Sequence, residues 1–291
     1  MLTITMAIIA MATAMDAMAM ASRAMATIVV IRVSHNSPLF SPLFTLHSSL
    51  PMWPFSKKRY SLADSGLFEG MTDYHCHILP GVDDGVQTLK ESISALQQLS
   101  KLGVKEMWLT PHIMEEYPNT PDDLQKRFER LCAEPQVQDC GISLHLAAEH
   151  MLDSLFIGRF ASGNVLPIIN GKYLLVETSY YNPPIQLYEI LDNIIKQGYT
   201  PLLAHPERYV YMNARDYSRL KDMGIVMQLN LLSLFGAYGE DAFSKAHKLL
   251  DKDYYSVFGT DIHSIDSFLY HVSEPSLVSG DIKKLRRMTL G

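Results

Sequence analysis

From about residue 70 onward, short apolar or β-branched runs alternate with amphipathic helical patterns, and this alternation restricts the fold more than any other feature. Residues 72–77, "KEMWLT" (105–110), "ISLHLAAE" (142–149), "YLLVET" (173–178), "PLLAH" (201–205), "IVMQLN" (225–230) and "YSVFGTD" (255–261) read as buried strands. Between them, "TLKESISALQQLSKLG" (88–103) has apolar residues at 89, 93, 96, 99 and 102 and a stop at Gly103. Comparable helical patterns fit 121–133, 185–197, 215–223 and 239–251. Alternation of this kind with short loops calls for parallel strands, either closed into a barrel or wound as an open sheet.

The placement of polar residues separates those two architectures. An open sheet concentrates chemistry at one switch point, whereas a barrel spreads it over the C-terminal ends of many strands. Here residues able to bind metal close nearly every run: His75 and His77, then His112, Glu149, Glu177, His205, and finally Asp261 with His263. Only "IVMQLN" ends differently, in Asn230. The expected fold is therefore an α/β barrel of about seven strands. Positions i and i+2 of a strand share a face, so His75 and His77 point inward while Cys76 points into the helical layer. Asp261 and His263 repeat that geometry at the last strand.

Histidines and carboxylates without thiolates suit manganese, iron or zinc in a reactive site rather than a structural zinc. So many ligands exceed what one ion accepts, which implies two or three metals sharing a bridging carboxylate. Metals about 3.5–4 Å apart generate a hydroxide nucleophile and clamp the oxygens of a phosphoryl group. Arg208, in "AHPERY" (204–209), is a candidate clamp for a substrate phosphate because its planar fork matches phosphate oxygens. The plain alternative is a surface arginine paired with Glu207. Asp83 and Asp84 fit an Asp-Gly turn as well as a ligand role. His145 reads as a packing residue, and His150, His247 and His271 as surface or loop residues.

Composition narrows the function classes. A net charge of −6 supplies no basic field for nucleic acid. The three cysteines, Cys76, Cys132 and Cys140, form no CxxC pair, as expected of a reduced, cytoplasmic protein without a disulfide frame. None begins a CxxxxxR loop, which excludes a cysteine-dependent phosphatase. Residues 1–51 are dominated by Ala, Met, Thr and Ile. Asp16 and Arg23 interrupt their apolar run before it reaches the roughly 20 residues of a membrane span, so no stable insertion is expected. The segment reads as a low-complexity extension, with Met52 as an alternative start. Residues 52–70 read as a linker, and 71–291 as the catalytic domain.

Six ordered motifs, "DYHCHILPGVDDG", "TPHI", "AAEH", "LLVETS", "AHPERY" and "GTDIH", resemble the polymerase-and-histidinol-phosphatase (PHP) superfamily. Within it they are most similar to bacterial protein-tyrosine phosphatases of capsule and exopolysaccharide clusters, over roughly residues 60–265. The resemblance implies a distorted seven-stranded (β/α) barrel and a manganese-preferring site of three ions. The implied substrate is phosphotyrosine on the tail of a tyrosine autokinase. One metal would be held by His75, His77, Glu149 and Asp261. A second would share Glu149 and add Glu177 and His205, and a third would take Asp84, His112 and His263. Relatives acting on histidinol phosphate or nucleic acid usually carry histidine in place of Asp84 and Glu177, which favours the tyrosine phosphatases. Ser267 and Phe268 stand where some members place a second arginine, which leaves phosphate binding to Arg208 and the metals. The alternatives are a small-molecule phosphatase such as a histidinol phosphatase and an inactive barrel that binds a kinase tail. An amidohydrolase-type enzyme is disfavoured because no lysine ends a strand to bridge two metals. A homo-oligomer is compatible with every one of these.

Overall fold

Residues 58–290, apart from residue 170, are described by a computed structural model. The extension 1–51 and the first part of the linker, with Met52, lie outside the described residues. Contacts divide the chain after Trp53, and all described residues belong to the second unit.

The strands are β1 (Arg59–Tyr60), β2 (Thr72–Cys76), β3 (Glu106–Leu109), β4 (His112–Ile113), β5 (Ser143–Leu146), β6 (Glu149–Met151), β7 (Tyr173–Glu177), β8 (Thr200–Ala204), β9 (Val226–Asn230), β10 (Val257–Gly259) and β11 (Leu277–Val278). A parallel sheet runs in the order β10-β9-β8-β7-β6-β4, and a second in the order β2-β3-β5. They are continuous along the chain, because β4 follows β3 across Thr110–Pro111 and β6 follows β5 across Ala147–Ala148. The sheet curls until β2 meets the end of β10, where His77 N–H donates to the Ile262 carbonyl (3.0 Å) and Asp261 N–H to that of His75 (2.8 Å). The result is a curled, parallel α/β sheet with its helices outside.

Alternation along the strands divides the apolar residues into an inner and an outer set. Tyr173 and Leu175 of β7, Leu202 and Ala204 of β8 and Val257 of β10 form one cluster. Leu174, Val176, Leu203 and Phe258 join the other, which includes Leu96 and Leu99 of the helix Leu89–Leu102. That helix begins at Thr88, whose side chain and Glu91 make a reciprocal capping box, and it stops at Gly103 with φ +104°. Further helices span Pro121–Cys132, Leu187–Lys196, Ala214–Asp222 and Gly239–Asp251, within two residues of the periodicity reading.

Some features depart from the sequence expectations. Residues 58–70, part of the segment read as a linker, are packed: Leu62, Leu67 and Phe68 are buried, and β1 pairs antiparallel with β11. That pairing joins chain segments more than 200 residues apart, so no local pattern announces it. The helices Ser154–Ala161, Ile265–Ser273 and Ser279–Leu285 were not anticipated; each is short, and short apolar runs leave the period ambiguous. His150 is buried rather than on the surface. It follows the inward Glu149, so alternation turns it outward, under Phe156 of the helix Ser154–Ala161. Its Nε2 accepts from Leu166 N–H (3.3 Å), and burial, reinforced by Arg159, lowers its pKa to about 3. His145 is half-buried, stacked on Trp108 and 2.9 Å from Glu106.

Gly259 marks the tightest approach in the closure. A Cβ built there would lie 2.6 Å from His75 Cβ and 3.0 Å from Gln228 Oε1. Gly259→Ala is therefore expected to cost about 1–3 kcal/mol of stability, as an overpacked core does. A urea titration checks this, with the midpoint falling at unchanged m-value.

Candidate active site

Strand register brings the polar strand ends together. His112 on β4 pairs directly with Glu149 on β6, and Met151 with Glu177, so consecutive strands deliver their side chains to one depression. In β2 the pairing with β3 slips between Asp73 and Cys76. This irregularity lets Tyr74 join the inner apolar cluster while His75 and His77 still reach the site. Two other members depend on unusual backbone. His205 has φ +33° and Asp261 φ +50°, a left-handed conformation that costs a non-glycine residue about 1–3 kcal/mol. For His205 the reason is visible: Leu202 and Ala204 face inward, so a regularly extended residue 205 would face the helices.

Most of these side chains are buried, and they converge. His75 Nε2 lies 3.0 Å from His77 Nε2, 3.1 Å from Glu149 Oε2 and 3.3 Å from Asp261 Oδ1. His205 Nε2 is 3.1 Å from Glu149 Oε1 and 3.8 Å from Glu177 Oε2. His112 turns Nδ1 toward Glu149 (3.2 Å) and Glu177 (3.0 Å), and Nε2 toward Asp84 Oδ1 (3.4 Å). His263 Nε2 is 3.5 Å from the same Asp84 oxygen. Ligand atoms fall into three groups, each within 4.8 Å: His75, His77, Glu149 and Asp261; His77, Asp84, His112 and His263; and His112, Glu149 and Glu177. Eight of the nine sequence candidates fall in these groups, and His205 joins them through Glu149 rather than as a member of one.

Satisfied hydrogen bonds do not account for the cluster. His112 Nδ1, Glu149 Oε2, Glu177 Oε1, His205 Nδ1 and Asp261 Oδ1 are buried without a hydrogen-bond partner, although ion-pair distances near 3 Å surround several of them. Atoms that crowd together without aiming at one another share a target, and the donor types suit a divalent cation. Among the described residues, Arg208 is the one permanent cation lining this depression, and it pairs with Asp261 while Asp84, Glu149 and Glu177 are left to the imidazoles. Burial alone would lower the His75 pKa, but Glu149 and Asp261 override it and lift the pKa to about 9. Burial likewise pulls the His77 pKa down, but Asp83, Asp261 and Glu149 together outweigh it and hold His77 well above its usual value. Burial would raise Asp261 and Glu149, yet His75 and its neighbours hold both well below the normal carboxylate range. Asp84, bonded to His263, falls to about 2. His75, His77 and His112 thus hold their protons more firmly than a free imidazole, and a bound cation would take over that charge.

Supporting residues orient these groups, and sequence reasoning found few of them. Asp83, taken only as a turn residue or a weaker ligand candidate, receives His77 Nδ1–H at 2.9 Å and also accepts from the N–H groups of His112 and Gly85. Gly85 is required, because a Cβ there would lie 2.1 Å from the His77 carbonyl oxygen. Gln228 Oε1 sits 2.7 Å from His75 Nδ1, which leaves Nε2 as the lone pair facing the cluster. Asn230 donates to Asp261 Oδ2 (2.7 Å) and to Tyr238 Oη (3.1 Å). Only Asn230 carried a signal, its position at a strand end, and that does not distinguish ligands from the residues that aim them.

Arg208 completes the wall. It does not pair with Glu207, which is fully buried and accepts from Asn230 N–H, Ser233 and Tyr255. Instead Arg208 Nη1 donates to Asp261 Oδ2 (3.0 Å), and the guanidinium lies between the rings of Tyr180 (4.4 Å) and Tyr238 (4.0 Å). These residues, with Asp84, His112, Glu149 and His263, line a cavity of about 350 Å³. Ser267 also lines it, whereas Phe268 is buried in the core. Cys76 points into the outer core, and burial pushes its thiol well up.

Residues 71–275 match the sequence profile described as capsular polysaccharide synthesis, CpsB/CapC. The tyrosine-protein phosphatase CpsB of Streptococcus pneumoniae is 28% identical over 207 residues, covering 68% of this chain and 84% of that protein. The tyrosine-protein phosphatase YwqE of Bacillus subtilis is 25% identical over 207 residues, covering 70% of this chain and 82% of that one. A crystal structure from work on YwqE and CpsB, described there as metal-dependent tyrosine phosphatases, superposes with a TM-score of 0.62. That match spans 76% of this chain and 96% of the other at 24% identity, a likeness of fold.

The contact between Asp83 and His77 yields a test. Asp83→Ala frees the His77 ring, and loss of such an orienting partner typically weakens metal affinity about 10–100-fold. Calorimetric titration of metal-free protein with Mn²⁺ measures this without reference to turnover.

Proposed function

Because the chain belongs to the CpsB/CapC family of capsular polysaccharide synthesis, we propose that it is a metal-dependent phosphomonoesterase acting on protein phosphotyrosine. The observation that carries this reading is the convergence of four carboxylates and five imidazoles, with orphaned buried atoms, beside a clamped arginine.

His75, His77, Glu149 and Asp261 would hold the first ion. A neutral imidazole has one lone pair, so His112 serves a single ion. We assign its Nε2 to the ion held with Asp84 and His263, leaving the remaining ion to Glu149, Glu177 and His205. Carboxylates and imidazoles without thiolates fit manganese, with iron or zinc as alternatives. When bound, the ions supply Lewis acidity at the phosphoryl oxygens and activate water.

The protein's own groups bind and orient. Arg208 uses one donor on Asp261 and has further donors in its planar fork for non-bridging phosphate oxygens. The Tyr180 and Tyr238 rings hold that fork in place, so little ordering remains when the ester arrives. No phosphorylated cysteine forms part of this scheme, since no cysteine lines the cavity. The distorted seven-stranded barrel finds support in joining β3 to β4 and β5 to β6, which leaves seven strands around the ring closed by β2 and β10. As physiological substrate we assign the tail of a tyrosine autokinase in capsule or exopolysaccharide synthesis, encountered in the cytoplasm. Among the described residues no helix is long and apolar enough to cross a membrane.

Chelation with EDTA should abolish hydrolysis of p-nitrophenyl phosphate, and Mn²⁺ should restore it; full turnover by metal-free protein would sink the proposal. Arg208→Ala should lower kcat/KM on a phosphotyrosyl peptide roughly 10- to 100-fold, as expected for losing a hydrogen bond to a charged group. Steady-state kinetics at constant Mn²⁺ measures the loss.

A further inference from the structure

The strand ends that carry candidate ligands also build a second depression beside the first. Met114 lies two residues after His112, Met151 two after Glu149, and Thr178 directly after Glu177. With Tyr180, Pro183 and Pro184 they line a groove of about 470 Å³. Tyr180 belongs to both walls, stacking on Arg208 on one side and lining the groove on the other, so the two spaces adjoin.

The groove is apolar at its rim and held in shape. Tyr181, which lines the groove, is 72% exposed, and Ile185, next in the chain after the lining residue Pro184, is fully exposed. The segment bearing them is restrained by Pro183 and Pro184 and by Val210 N–H, which donates to the Tyr180 carbonyl (2.9 Å). Its charged members are acidic: Glu115 and Asp153 are tied to one another and to Ser154, and Glu116 adds a further negative charge. A small phosphate ester held at Arg208 has only Tyr180 in common with this surface. A polypeptide carrying the ester would extend past that cavity, and this surface adjoins it.

We propose that this groove receives the chain flanking the phosphotyrosine through apolar side chains, which makes the substrate class apolar-flanked phosphotyrosine in a polypeptide. The proposal rests on the phosphatase reading above. Lys126, Arg127 and Arg130 line a separate depression with Tyr117 and Asn119, and they define the competing outcome, a preference for acidic flanks.

The test uses the Mn²⁺-loaded full chain and phosphotyrosyl peptides of equal length flanked by Leu/Ile, Ser or Asp. Leu/Ile flanks should raise kcat/KM over Ser flanks by about 10-fold, the scale of discrimination by a hydrophobic pocket. The exposed-site double variant Tyr181→Ser/Ile185→Ser should lose that preference while p-nitrophenyl phosphate turnover stays unchanged. Fluorescence anisotropy with metal-free protein and the same peptides reads the groove independently of turnover and should show the same order. Equal rates for all flanks, a preference for Asp flanks, or equal loss on both substrate types overturns the proposal. Absence of p-nitrophenyl phosphate hydrolysis by loaded wild-type protein would instead remove the phosphatase reading, with anisotropy still deciding the groove.

Discussion

Mutual repulsion among buried carboxylates is the constraint on which the rest of this molecule depends. Asp84, Glu149, Glu177 and Asp261 approach one another at the end of a parallel sheet, three of them shielded from water. Anions so placed persist only if cations share the space. His75, His77 and His112, whose pKa values are raised, and Arg208 supply that role in the bare protein. Divalent ions would supply it better because each replaces several protons at once. The perturbed titration of His75, His77 and Asp84 is a direct consequence.

Such a site needs a rigid frame, and the frame is the closure of β2 against β10. Asp73, beneath the histidines, accepts from the N–H groups of His75 and Thr260 and from the Thr260 hydroxyl, tying the two chain regions together. Burial raises the Asp73 pKa to about 6. Gly259 allows the last strand to approach His75 without a side chain between them. The histidine pair from one end of the domain and the Asp–His pair from the other thereby become neighbours. Strain at His205 and Asp261 is sustained by the same frame, since both are buried, with His205 Nε2 held by Glu149 and Asp261 Oδ2 by Asn230 and Arg208.

Much of this was legible before any coordinates. Strand positions follow from β-branched runs, and the helix Leu89–Leu102 follows from its periodicity and its glycine stop. Eight of the ligand candidates emerged because barrels place chemistry at strand ends, a rule that needs only chain order, whereas Asp84 rested on the motif resemblance. Residues whose role depends on a partner far away in sequence stayed hidden. Asp83 and Gln228 look like any loop acid or strand amide until His77 and His75 are seen beside them. His150 was misplaced because exposure was judged from residue type, whereas alternation next to an inward Glu149 turns it under a helix. The segment 58–70 looked like a linker because its partner, β11, lies at the other end of the chain.

By itself the sequence determined the alternating architecture and eight strand-end candidates for metal binding, because periodicity and residue chemistry are local properties; Asp84 came only with the motif resemblance, and Arg208 stood as one of two readings. Tertiary structure alone decided which of those side chains meet, which neighbours aim them, and where a groove opens next to them. Those outcomes depend on strand register, on two left-handed backbone residues and on contacts across the ring, none of which a linear pattern encodes.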